Sequence, residues 1–247
     1  MEWAVVAGAT GTLGSAISER LLEKGFGVFA VGRDVRRLEH AGADRAGWRS
    51  FACDLSAPGW EASLDAALPE RVRMVVNATG AAFGGGVLEV EPEKVLAAVQ
   101  LKVNGSLRLV RTCRPHFLPG SRAVLIGGNL GLDPTPDSAV PGLVNAMLLA
   151  AVRQLNRALA PSGVTAHLVA PGPVESPRMS VLAEEAARSH GGTVEEALAR
   201  LRSAAPLGRL TSPREVAWAV SLLADPEASA LAGSILLLDS GQRTGIG

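Results

Sequence analysis

Three glycines at three-residue spacing, Gly8, Gly11 and Gly14, stand between the apolar run Trp3–Ala7 and an amphipathic stretch over 12–24. Leu13, Ile17, Leu21 and Leu22 share one face of that stretch, so a buried strand passes through a glycine turn into a helix. Glycines let a backbone turn tightly and approach a ligand closely. The unpaired N–H groups of the helix then face that ligand with partial positive charge, which suits a pyrophosphate. A strand, a glycine loop and a helix at the head of a βαβ unit form the context in which a glycine triplet carries weight.

The alternation continues along the chain. Further strands are predicted over 28–31, 49–52, 73–76, 123–126, 165–169 and Ile235–Leu238. Helical patterns lie over 60–67, 92–114, 140–159 and 213–223, the last with Pro213 in its first turn. Near-continuous apolar strands imply a parallel sheet covered on both faces. Right-handed crossovers make it doubly wound, with a ligand crevice at the carboxyl ends of the strands. With 247 residues, 47% of them hydrophobic, a sizeable core can form, and we read residues 1–247 as one domain. The segment 175–205 combines a short helical pattern with Gly191-Gly192 after a strand end, a position suited to a substrate lid. Arg178 and Met179 open it, placed either to touch substrate or to take surface and core roles.

Zero formal net charge gives no electrostatic footprint for nucleic acid or an anionic membrane. Met1 to Val6 carry no basic segment, no apolar run approaches a bilayer span, and Cys53 and Cys113 read as reduced thiols; a cytoplasmic location is expected. His40, His116, His167 and His190 have no metal-ligand spacing, so no metal is expected, and His167 reads as a hydrogen-bonded core histidine.

The second strand ends in Gly32-Arg33-Asp34. A carboxylate at such a strand tip holds ribose hydroxyls, whereas an arginine pairs with a 2′-phosphate. Arg33 favours NADP(H) over NAD(H); Asp34 can equally cap the next helix.

In order along its length the chain resembles the short-chain dehydrogenase/reductase family. Gly8, Thr10, Gly11, Leu13 and Gly14 fall in a loop similar to the family's glycine loop, with Ala7 in place of its usual threonine. Asp54 and Leu55 match the turn that meets the adenine, and Asn77, Ala78 and Thr79 match the segment after the fourth strand. Pro171, Gly172, Val174 and Ser176 match the segment that contacts the nicotinamide carboxamide. The resemblance implies a Rossmann-like α/β sheet of about seven strands, order 3-2-1-4-5-6-7. It also implies a small-molecule substrate and a homodimer or homotetramer assembled through the long helices and the C-terminal segment.

The family's chemistry uses a tyrosine, a lysine four residues later, a serine and an asparagine. By position the serine falls on Gly128, the tyrosine on Pro141 and the lysine on Asn145. Gly105 and Pro115 set the asparagine position on Lys102 rather than Asn104. The tyrosine conclusion stands without alignment, because the chain contains no tyrosine. General acid catalysis is typically worth about 10²–10⁴, so the usual route of carbonyl reduction should be severely slowed.

Lysine and asparagine have thus exchanged places. Lys102 either fills part of the space of the family's lysine, binding ribose or acting as an acid, or points to solvent. Asn129, Asp133, Asp137 and Ser138 on the neighbouring loop are further polar candidates, or turn and capping residues. One reading is an NADP(H)-binding oxidoreductase by descent, acting on a small carbonyl, hydroxyl or polyketide-like substrate through Lys102, Asn145 and Asn129, by reduction or by redox-neutral cyclisation or isomerisation. The alternative is an inactive cofactor-binding subunit partnering an active relative.

Overall fold

The computed structural model describes residues 1–80, 85–243 and 245, with only the backbone at 185, 186, 189 and 190. Its strands are β1 (Trp3–Ala7), β2 (Gly27–Gly32), β3 (Trp48–Ala52), β4 (Val72–Asn77), β5 (Phe117–Ile126), β6 (Thr165–Pro171) and β7 (Ile235–Leu238). They form one parallel sheet in the order β3-β2-β1-β4-β5-β6-β7, as expected. The helices are α1 (Thr12–Glu23), α2 (Val35–Gly42), α3 (Glu61–Ala67), α4 (Pro92–Ala98), α5 (Gly105–Cys113), α6 (Ala139–Leu159), α7 (Pro177–His190), α8 (Val194–Ser203) and α9 (Pro213–Leu222).

Alternation along the strands builds two cores. Val5 and Ala7 of β1 face a layer containing Leu64, Leu109, Val144 and Leu148, from α3, α5 and α6. Ala4 and Val6 face the other, with Ile17 and Leu21 of α1, Leu38 of α2 and Val220 of α9. These residues are buried almost completely, and each such aliphatic side chain contributes roughly 1.5–3 kcal/mol. Helices on both faces leave the carboxyl ends of the strands as the place where loops can build a site.

Three stretches differ from the sequence expectation. Strand β5 starts at Phe117 rather than 123, because its pairing to β4 slips from Val72↔Phe117 to Met74↔Arg122. Pro119 and Gly120 (φ 86°) fall inside that irregularity. The expected helix over 92–114 is interrupted by a π-helical turn, Val99–Asn104, between α4 and α5. Ser106 Oγ donates to the Lys102 carbonyl there, a side-chain partner for an acceptor where the regular ladder is widened. The irregular segment over 175–205 is two helices: Gly191 (φ 73°) and Gly192 (φ 104°) separate α7 from α8. Ser176 caps α7, and Thr193 with Glu196 forms a capping box on α8.

Candidate functional site

The loop after β1 is built for close backbone approach. Gly8 has φ 76°, and a Cβ there would lie 3.0 Å from the backbone of Ala78 and Thr79. A Cβ on Gly14 would fall 2.0 Å from the Gly8 carbonyl oxygen, so this first-turn glycine lets α1 pack directly onto the loop. Gly11 caps α1 without a side-chain hydrogen bond, and no acidic residue occupies the first turn. The result is an open, electropositive helix N-terminus flanked by Thr10 and Leu13. Its construction fits a pyrophosphate.

The tip of β2 lies beside it. Asp34 Oδ1 accepts from Arg36 N at 3.0 Å and Arg37 N at 3.2 Å, so this carboxylate caps α2. Arg33 is exposed, and its charge helps hold the Asp54 carboxyl below the usual range; hydrogen bonding from Ser56 is the larger cause. Arg37, which the sequence reading passed over, donates from Nη2 to the Thr10 carbonyl at 2.9 Å. With Thr10, Ser15, Arg36, His40 and Ala41 it lines a recess of about 330 Å³. A neighbouring Arg-Arg pair was the available signal, but nothing in the sequence showed the reach back to Thr10.

Asn77 is buried and fully engaged: Nδ2 donates to Ser106 Oγ at 2.7 Å, while Oδ1 accepts from Thr79 N and Thr79 Oγ1 at 3.0 and 2.7 Å. Its side chain ties the turn containing Ala78 and Thr79 to α5. Asp54 binds its own turn through Ser56 N and Oγ, next to buried Leu55. After Pro171, Gly172 donates to the Leu238 carbonyl, Val174 bridges Thr211, and Ser176 Oγ accepts from Met179 N as the α7 cap. These residues therefore place their segments around the crevice, several by spending their side chains internally.

Of the three catalytic candidates, the structure brings two together. Lys102 Nζ donates to Asn145 Oδ1 at 3.2 Å. A Cβ on Gly128 would lie 2.8 Å from Asn145 Nδ2, so the same amide faces Gly128 with its other end. Pro141 lies in the first turn of α6, four residues before Asn145 and so on the same helix face. Lys102 thus turns toward α6 and is partly buried there. Burial, and secondarily the Arg178 charge, push its pKa down to about 8. An ammonium tuned to that range can give up a proton near neutral pH.

Asn129 stands apart from this pair. Its Nδ2 donates to Gln242 Oε1 at 2.9 Å, because it sits on the far side of Gly128 in the short 3₁₀ turn Asn129–Gly131. Its side-chain amide is thus engaged by Gln242 rather than by Lys102 or Asn145. His167 is a core residue between Thr165 Oγ1 and Ser234 Oγ, as expected. Among the described residues no group of three or more His, Cys, Asp or Glu is arranged to hold a metal.

Comparison with known proteins gives consistent likenesses. A family model described as enoyl-(acyl carrier protein) reductase matches residues 8–243. A protein of Streptomyces coelicolor is 30% identical over 254 residues, covering 95% of this chain and 94% of its own length; its name describes it, provisionally, as a ketoacyl reductase. The short-chain reductase protein NovJ of Streptomyces niveus is 27% identical, covering 97% and 93%. Among solved structures, a variant of actinorhodin polyketide ketoreductase with NADPH superposes with a TM-score of 0.90 at 27% identity, covering 98% and 97%.

Proposed function

Given that the chain belongs to the short-chain dehydrogenase/reductase family, we propose that it is an NADP(H)-dependent reductase of a small carbonyl substrate in which Lys102 takes over proton delivery. The observation that carries this reading is the inward Lys102 ammonium, hydrogen-bonded to Asn145 where the family's lysine would stand.

The chain's groups fit the dinucleotide. Gly8, Gly11 and Gly14 leave backbone room at the α1 N-terminus for the pyrophosphate. Arg33 and Arg37 stand at the β2 tip for a 2′-phosphate, while Asp34 is already committed to capping α2. Asp54 and Leu55 border the adenine side, and Pro171, Gly172, Val174 and Ser176 the nicotinamide side. NADPH held there supplies a hydride for a carbonyl carbon.

The chain's own work is positioning and proton transfer. Asn145 holds Lys102 by a neutral acceptor, leaving two of its N–H bonds for the substrate oxygen or the ribose. With its pKa lowered to about 8, Lys102 both stabilises charge developing on that oxygen and can protonate it. Gly128 supplies no hydroxyl, and the Asn145 amide fills the space beside it. The helices α7 and α8 form the lid over this cleft.

The test is NADPH consumption by the purified protein with small ketones, run beside Lys102→Met. Slow turnover by the wild type that disappears in the variant supports the reading. Equal turnover by both overturns it. Tight NADPH binding without turnover, with activity restored by a related subunit, would instead support a non-catalytic partner.

A further inference from the structure

A chain of hydrogen bonds reaches Lys102 through its backbone. Thr79 donates from N and Oγ1 to Asn77 Oδ1 at 3.0 and 2.7 Å, and Asn77 Nδ2 donates to Ser106 Oγ at 2.7 Å. Ser106 Oγ then donates to the Lys102 carbonyl. Asn77 is 4% and Ser106 2% exposed, so water does not compete for these groups. The far end of the chain borders the glycine loop, where a Cβ on Gly8 would lie 3.0 Å from the backbone of Ala78 and Thr79.

Lys102 lies where the register of the helical run is unusual. Gly105 N donates to the Gln100 carbonyl five residues back, the wide bond of the π-helical turn Val99–Asn104. One residue corresponds to about 100° around a helix, so a change of register here carries the Lys102 side chain away from α6. Three contacts oppose such a change. Gln100 Nε2 donates to the Ser56 carbonyl at 3.3 Å, Gly105 packs where a Cβ would lie 3.2 Å from Leu55 Cβ, and Ser106 holds the Lys102 carbonyl. Of these three, Ser106 alone binds Lys102 itself. Thr112 makes the same bond to a carbonyl four residues back, from Oγ1 to Arg108 at 3.0 Å, in the regular part of α5. Ser106 differs in that a buried amide from β4 anchors its hydroxyl.

We propose that Ser106 is a positioning residue for the reaction: its hydroxyl, anchored by Asn77, fixes the Lys102 backbone so that the ammonium meets Asn145. The inference rests on the reading of Lys102 as the proton donor and specifies what aims it. Ser106 touches neither substrate nor dinucleotide; it acts through the carbonyl of the residue that does. Without the hydroxyl the π-helical turn relaxes, Lys102 loses its place beside α6 and its ammonium gains water. The turn that carries Asn77 also abuts Gly8, so the group that would hold the pyrophosphate and the group that would deliver the proton are built on one buried set of contacts.

Trace labelling of the full chain with acetic anhydride across the lysine titration range, read at Lys102 by mass spectrometry, tests this without turnover. The wild type should show a labelling midpoint near about 8. Ser106→Ala should raise that midpoint by about one pH unit or more, toward the ordinary 10.5 of an exposed lysine. Ser106→Thr keeps the hydroxyl and should hold the midpoint close to the wild-type value. Thr112→Ala removes the comparable bond elsewhere on α5 and should leave Lys102 unchanged. An unmoved midpoint in Ser106→Ala overturns the proposal, as does an equal rise in Thr112→Ala or in Ser106→Thr, or a wild-type Lys102 that already titrates as an exposed lysine. Should Ser106→Ala not fold, Asn77→Ala reads the same link from its other end: a raised midpoint supports the proposal and an unmoved one overturns it. Failure of the reductase reading shows separately, as NADPH consumption that Lys102→Met leaves unchanged while the Ser106 effect on labelling persists.

Discussion

Lys102 Nζ and Asn145 Oδ1 lie 3.2 Å apart, joining the π-helical turn between α4 and α5 to the second turn of α6. The contact brings an ammonium and an amide from two separate helical segments together.

Replacing Lys102 by Met removes the only proton donor that we assign to the cleft. Turnover should fall by roughly 10²–10⁴, as for loss of a general acid. In the wild type the rate should decline as pH rises through about 8, where the ammonium is lost. Arg178→Ala removes the opposing charge and should move that decline to higher pH. Rate profiles of the three proteins measure it.

Gly128→Ser adds a Cβ within 2.8 Å of the Asn145 amide nitrogen. We expect a loss of stability of about 1–3 kcal/mol, as for overpacking. Asn145→Ala in the same chain should recover most of it, because the obstructing amide is gone. A double-mutant cycle by denaturant unfolding reads the coupling.

His167 carries a pH signature of the fold. Burial, then the Arg122 charge, hold its pKa down at about 4 against an ordinary value of 6.5. The unfolded chain therefore binds the proton first. The contribution is present in full above pH 6.5 and is lost as pH falls toward about 4, amounting to about 3 kcal/mol. Thermal unfolding between those limits should show the slope, and His167→Gln should flatten it.

Leu143 and Met147 of α6 and Leu96 of α4 are 49, 43 and 67% exposed, an apolar face on two adjoining helices. We propose that it is covered by a second copy of the chain, in a homodimer or homotetramer. Light scattering should give a multiple of the 25.4 kDa chain mass, and Leu143→Glu with Met147→Glu should reduce it.

The framework was legible because it obeys strong local rules. The glycine spacing marked the β1–α1 turn, and apolar runs marked the central strands of the sheet. Lys102 and Asn145 could be singled out together because Gly105, Pro115 and the loop at Gly128 set the register on either side, and the two side chains do meet. Other features depend on distance in space. One extra residue in a turn leaves the helical apolar pattern nearly unchanged, so the π-turn at Val99–Asn104 was hidden in an apparently continuous helix. The Arg37 contact to Thr10 and the Asn129 contact to Gln242 span 27 and 113 positions, and no local pattern announces either. Gly191-Gly192 read as irregularity because two glycines end one helix and precede another with equal ease.

Titration calorimetry of the purified protein with NADPH and NADH addresses the central claim most directly. The account predicts saturable NADPH binding on the order of 1–100 μM, with NADH at least about tenfold weaker because Arg33 and Arg37 have no 2′-phosphate to meet. Absence of saturable heat with either dinucleotide would contradict it, since the glycine cradle and the inward Lys102 would then serve no nicotinamide.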